Sequence, residues 1–254
     1  IHVATADFYP LPQEIEDAFA ASKYLVVEVD MSKADKAKMQ AVTLEKGAYK
    51  GEDTLSKSLS KPTLDLLNAY YTKSGMPPGA FDKFRPWMVA TTIAMLELQK
   101  LGFGTDLGID LHFLKAAGDK KEVLELESIE SQMNLLSGFS AELQDTFLAQ
   151  TLGDLGDVKD FINKAVGAWK NGDAKALNDL MVLKPLQKHP EMKPVLDKLI
   201  DERNVQMTAK VDGYLKGKGV YFVVVGAGHL VGDKGVVALL AARNYKVEQV
   251  RRAR

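Results

Sequence analysis

The stretch Tyr221-Phe222-Val223-Val224-Val225-Gly226-Ala227-Gly228-His229-Leu230-Val231-Gly232 decides how the chain is read. Its first five residues, all aromatic or β-branched, favour a strand that runs straight into a glycine turn, and an apolar helix over residues 235–243 follows. A β-rich segment over residues 246–250 completes a β-α-β unit. The other end of the chain has the same rhythm. Residues 1–3 read as a short strand, and a helix over residues 13–22 carries Ile15, Ala18, Phe19 and Ser22 at three-to-four spacing. Lys23-Tyr24-Leu25-Val26-Val27-Glu28-Val29-Asp30 then reads as a buried strand.

Between these ends the periodicity is mainly helical, over residues 32–45, 61–74, 85–101, 107–117, 128–137, 141–152, 157–171 and 191–215, with one short strand at 122–126. The pattern predicts an α/β fold whose sheet is built from N- and C-terminal β-α-β units with an α-helical insertion, roughly residues 32–215, between them. No long linker and no fixed-period repeat divides it, so residues 1–254 are expected to form a single domain.

Composition narrows the chemistry. Lys and Arg number 33 against 34 Asp and Glu, for a net charge of −1, and no basic run exceeds the Arg251-Arg252 pair, which argues against nucleic-acid binding by phosphate neutralisation. The absence of Cys excludes disulfides, thiolate metal ligands and a thiol nucleophile. Chemistry is left to four His, the carboxylates, Ser/Thr, Lys/Arg or a bound ion. No apolar run approaches the roughly 20 residues that span a bilayer. Opening on Ile1-His2-Val3 without Met, the sequence is expected to lack its native start and any export signal with it.

The turn Gly226-Ala227-Gly228-His229-Leu230-Val231-Gly232 invites a dinucleotide-binding reading, with Glu248 about 20 residues on. Its glycines are spaced one residue too far apart, and a second nucleotide-binding unit after it is not expected. The alternative fits better. Gly226 and Gly228 turn the chain sharply off a strand end, and His229 then projects from the carboxyl edge of the sheet, where open α/β folds build their sites. A loop histidine beside purely structural glycines is the plain reading that stands beside it. No H-E-x-x-H helix occurs, so ordinary zincin architecture is ruled out, and without G-x-S-x-G an α/β-hydrolase serine elbow has no sequence support.

The C-terminal segment just quoted, with Gly235 and Leu239-Leu240 after it, resembles the signature of the TraB/PrgY/GumN family, whose eukaryotic relatives are the Tiki metalloproteases. Ile1-His2-Val3 resembles the second half of that family's Gly-Thr-Ile-His motif, and Tyr9-Pro10-Leu11-Pro12 and Leu25-Val26-Val27-Glu28-Val29-Asp30 follow in the family's order. Gly108-Ile109-Asp110-Leu111-His112-Phe113-Leu114, Leu126-Glu127-Ser128 with Gln132, and Glu202-Arg203-Asn204 with Met207 resemble its internal motifs. The resemblance covers essentially the whole chain. It implies a core related to the erythromycin esterase and ChaN-like haem-binding folds, a site where the first and last motifs meet, and metal-dependent hydrolysis as in the Tiki branch. It also implies a periplasmic or cell-envelope location.

Within that frame His2, Glu28 and His229 form a coordination set for a divalent metal ion, Zn, Mn, Co or Fe, with a position left for water. Glu28 interrupts an apolar strand, and a carboxylate buried there must be paired, protonated or metal-bound. Arg203 belongs either to a solvated charged helix face or, turned inward, holds Glu28 or stabilises an oxyanion. Asp110, His112 and Glu127 either border the site, positioning its ligands or touching substrate, or serve as a helix cap, a helix face and a strand end. Catalysis is thus expected from Glu28, His229 and Arg203. The resulting expectation is a metal-dependent, peptidase-like hydrolase of a peptide or small acyl substrate. A protein that binds a peptide or haem-like ligand without catalysis, and a metal-free esterase-like hydrolase with a histidine base, are the alternatives.

Overall fold

The computed structural model describes residues 2–32 and 36–250, so the expectations placed on Ile1 and on the Arg251-Arg252 pair lie outside the described residues. Three strands form a parallel sheet in the order β2-β1-β3, with β1 at Tyr24–Val27, β2 at Glu122–Glu125 and β3 at Tyr221–Val224. Tyr24 is in register with Glu122 on one side and Tyr221 on the other. The central position of β1 explains its uninterrupted apolar run, since both of its faces are covered: Leu25, Val26 and Val27 are at most 1% exposed.

Strand alternation sends Leu25, Val27, Phe222 and Val224 to one face, against Phe19 of the helix Gln13–Ala21 and Phe113 of the helix Ile109–Ala117. Val26, Val223 and Val225 face the other way, against Met207 and Val211 of the helix Glu202–Leu215 and against Val236 of the short helix Val236–Ala241. A further core, containing Leu67, Tyr70, Ile93 and Leu148, joins the helices Lys61–Ser74, Pro86–Lys100 and Ala141–Gly153. Among the described residues no helix is long and apolar enough to cross a membrane.

The mixed α/β character is as expected, but the sheet is assembled differently. Its third strand, β2, comes from inside the span 32–215, which is therefore more than a helical insertion. Residues 246–250 add no strand. Their two apolar side chains, Val247 and Val250, stay 43% and 76% exposed, too little burial to hold a strand, and Gln249 instead donates to the carbonyl of Gly172. At the N-terminus, His2 and Val3 lie outside the sheet, and Ala4 makes one antiparallel bridge to Gly104. The helix expected over 191–215 is broken by a π-helical turn, Asp197–Asp201, after the short helix Lys193–Leu196.

The carboxyl edge of the sheet positions the site. Backbone pairing continues past β1 and β2, with Leu126 N–H on the Val27 carbonyl and Glu127 N–H on the Glu28 carbonyl, both at 2.8 Å. Glu28, Glu127 and Gly226 therefore stand side by side at the ends of the three strands.

Candidate functional site

Gly226 marks the centre. A Cβ added there would lie 3.3 Å from Glu28 Oε1, 3.4 Å from Cδ2 of His229 and 3.6 Å from Nε2 of His2, so residues from both ends of the chain and from β1 gather around one point. Any larger residue would crowd that point, which is why the turn needs glycine here.

Glu28 is 4% exposed and both of its oxygens are used. Oε1 accepts from Gly226 N–H at 2.5 Å, and Oε2 accepts from Arg203 Nη2 at 2.9 Å. Burial alone would push its pKa up, but His2, His229 and the Gly226 N–H outweigh it and hold the carboxyl well below the usual carboxylate range. Arg203 is clasped from three sides. Its Nε and Nη2 donate to the two oxygens of Glu127 at 2.8 and 2.7 Å, and its Nη1 donates to the Leu199 carbonyl at 2.9 Å. That bidentate fork suits a guanidinium and would not suit an ammonium. Glu127 also accepts from Gln132 at 2.8 Å, and against burial these bonds lower its pKa.

The two histidines are held in opposite states. Nδ1 of His2 lies 2.6 Å from Asp110 Oδ2, and Nε2 lies 3.5 Å from Glu28 Oε1. The bonds to Asp110 and Glu28 raise its pKa to about 9, so it is a cation at neutral pH. His229 is 4% exposed, and burial lowers its pKa although Glu28 pulls the other way. Its Nδ1 faces Asn204 Oδ1 at 2.7 Å, while Asn204 Nδ2 donates to the Lys234 carbonyl at 2.8 Å. The Asn204 oxygen can only accept, so Nδ1 of His229 carries the proton and Nε2 keeps its lone pair. Nε2 is bonded to Cδ2, the ring atom nearest Gly226.

The donor types suit a divalent ion. Two imidazoles, each tethered through Nδ1 by a second side chain, and one carboxylate oxygen are a common ligand set. With both imidazoles neutral, Glu28, Asp110 and Glu127 outnumber Arg203 by two negative charges, the charge such an ion would balance. In the geometry at hand, however, His2 must first lose its proton, and among the described residues no three His, Asp or Glu side chains form a ready-made metal group.

Other candidates are placed as follows. Asp110 lies in the first turn of the helix Ile109–Ala117, where Gly108 is the N-cap, and it joins the site through His2. His112, on the same helix, turns away from Glu28: its Nε2 lies 3.1 Å from Glu16 and its ring packs against Tyr9. A groove of about 1100 Å³, lined by Phe8, Pro10, Trp169 and Phe222 among others, contains none of His2, Glu28, Arg203 or His229. Asn204 is the functional side chain that sequence reasoning passed over. The signal was present, because Asn204, Met207, Thr208 and Val211 recur at helical spacing and all are buried, leaving one amide on a core face.

Residues 1–249 match the TraB/PrgY/gumN family. Curated relatives include the proteins described as uncharacterized protein YbaP of Escherichia coli (strain K12) and of Shigella flexneri. Each is 27% identical over 244 residues, which make up 94% of this chain and 85% of the relative. No solved structure matches the chain.

Proposed function

The chain belongs to the TraB/PrgY/gumN family, and from that premise we propose that it hydrolyses an acyl bond, in a peptide or small acyl compound, with a divalent ion held by His2, Glu28 and His229. One observation carries this reading: both imidazoles are tethered through Nδ1, and Nε2 of His2, the Cδ2 edge of His229 and Glu28 Oε1 lie within 3.6 Å of one point beside Gly226. The erythromycin esterase and ChaN-like core and an envelope location go with the same proposal.

When bound, a divalent ion supplies Lewis-acid polarisation of a carbonyl and a more acidic water. The chain's own groups do the rest. His229 enters the reaction neutral, and its Nε2 lone pair is directed to the ion because Asn204 holds the hydrogen on the other nitrogen. Arg203 orients Glu28 and offers positive charge where an oxyanion develops. Asp110 orients the His2 ring.

A second reading, hydrolysis with His229 as general base and no metal, is favoured by the proton on His2 and by the Arg203 and Gly226 bonds that already occupy Glu28. Metal analysis of the purified protein, with turnover of peptide and ester libraries with and without chelator, separates the two. The leading reading expects bound metal, chelator-sensitive turnover and its loss in His229→Ala. Calorimetry at pH 7.5 in buffers of different ionisation heat should also show about one proton released per ion bound. Chelator-resistant turnover that His229→Ala abolishes replaces the leading reading with the second. No turnover of any substrate rejects both and leaves a binding protein.

A further inference from the structure

Two π-helical turns flank the site, Asp179–Leu183 and Asp197–Asp201, closed by backbone bonds from Lys184 to Asp179 and from Glu202 to Asp197. Such turns are rare in soluble proteins and concentrate at functional sites. The second touches the machinery directly, since its Leu199 carbonyl receives Arg203 Nη1. The next residue, Ile200, and Met181 of the first turn reach the same place. A Cβ added to Gly228 would lie 3.0 Å from Met181 Cε and 3.8 Å from Ile200 Cδ1, so the glycine beside His229 lets both side chains close on the turn.

Neither π turn contains a buried residue, although four apolar residues run consecutively from Leu180 to Leu183. Leu230, directly after His229, is 40% exposed. Met181, which packs on the buried Ala168, Leu177 and Val231, and Ile200 are themselves only partly buried, and apolar groups left partly open beside a charged centre form a wall that a ligand's apolar part would cover. Resting on the reading of the site as an acyl hydrolase, we infer that Met181, Ile200 and Leu230 form a subsite for an apolar substituent flanking the scissile bond. The substrates are therefore peptides or acyl compounds with an apolar side group at that position. The flexible thioether of Met181 adapts to different apolar shapes, so linear, branched and aromatic groups are accepted. A charged group there would lose its water without gaining a partner.

The test reads binding, separately from turnover. Protein carrying 13C-labelled methionine methyl groups is titrated with the N-acetyl amides of Leu, Phe and Asp, with the Met181 signal assigned from Met181→Leu. The Leu and Phe compounds should shift the Met181 methyl saturably and bind about tenfold more tightly than the Asp compound, in wild type and in His229→Ala alike. Met181→Ala combined with Ile200→Ala should erase the preference. An unmoved Met181 signal in the wild-type protein, or equal binding of the three, overturns the subsite. Saturable apolar binding without hydrolysis of any substrate would leave the subsite standing and reject the hydrolase.

Discussion

His2 and His229 approach Glu28 from opposite ends of the chain under opposite conditions. His2 sits on an N-terminal segment outside the sheet, its side chain 54% exposed, and two carboxylates hold its proton. His229 sits in the turn that follows β3, 4% exposed, with an amide on one nitrogen and burial keeping the ring neutral. One residue type is thus held as a cation at one position and as a neutral imidazole at the other. The difference comes from surroundings, a carboxylate partner in one case and an amide in the other.

The sharpest way to break this arrangement is to remove the group that neutralises the carboxylates between the histidines. Arg203→Met leaves Glu28 and Glu127 buried and like-charged without the cation they share, and should cost about 3–5 kcal/mol of stability in urea unfolding. Arg203→Lys should recover only part of it, because an ammonium cannot reproduce the fork. A loss no larger than that of an exposed ion pair would show that the carboxylates do not depend on it.

Asn204→Ala acts on the buried histidine alone. It strands the Nδ1–H of His229, for a cost of about 1–3 kcal/mol, and should let the ring populate both tautomers, which imidazole 15N shifts report. Asn204→Asp should instead raise the His229 pKa by placing a carboxylate where the amide was, making the buried histidine resemble His2.

The pH dependence probes the exposed histidine. The folded-state pKa of His2 is raised to about 9 from its ordinary 6.5, so its contribution to stability is complete below about 6.5 and is lost as pH rises through 9. Solvent screening of a half-exposed pair keeps the slope modest. His2→Ala should remove that alkaline slope from unfolding curves measured between these values, and an unchanged slope would assign it elsewhere. His229 has the opposite sign: its lowered folded-state pKa makes stability fall as pH drops below 6.5. The smallest effect is expected at His112, whose partly exposed pair with Glu16 is worth about 1 kcal/mol or less. His112→Ala should leave metal binding and turnover intact.

Local pattern carried some of this architecture and not the rest. The apolar runs ending at Val27 and Val225 announce two strands, and Glu28 stands out as a charge at the end of one of them. The run at 122–126 reads as a strand too, but nothing local says that it pairs with β1, because parallel pairing depends on the crossover between them. Residues 246–250 have the composition of a strand without enough apolar surface to be buried as one. In the site, the residue types were visible at Glu28, Arg203 and His229, while the partnerships were not. Whether Arg203 faces solvent or Glu127 is decided by the helix rotation after the π turn at Asp197–Asp201, which has no sequence signature. His112 and Asp110 lie two residues apart on one helix and so point to different faces, one facing Glu16 and the other His2.

The most direct test is a pH titration of the imidazole 15N and 1H signals, assigned with His2→Ala and His229→Ala. His2 should stay cationic to about pH 9, while His229 remains a neutral Nδ1–H tautomer at pH 7 and protonates only below 6.5. Two histidines titrating together near 6.5, or His229 carrying its proton on Nε2, would contradict the opposite protonation states that their surroundings assign to them.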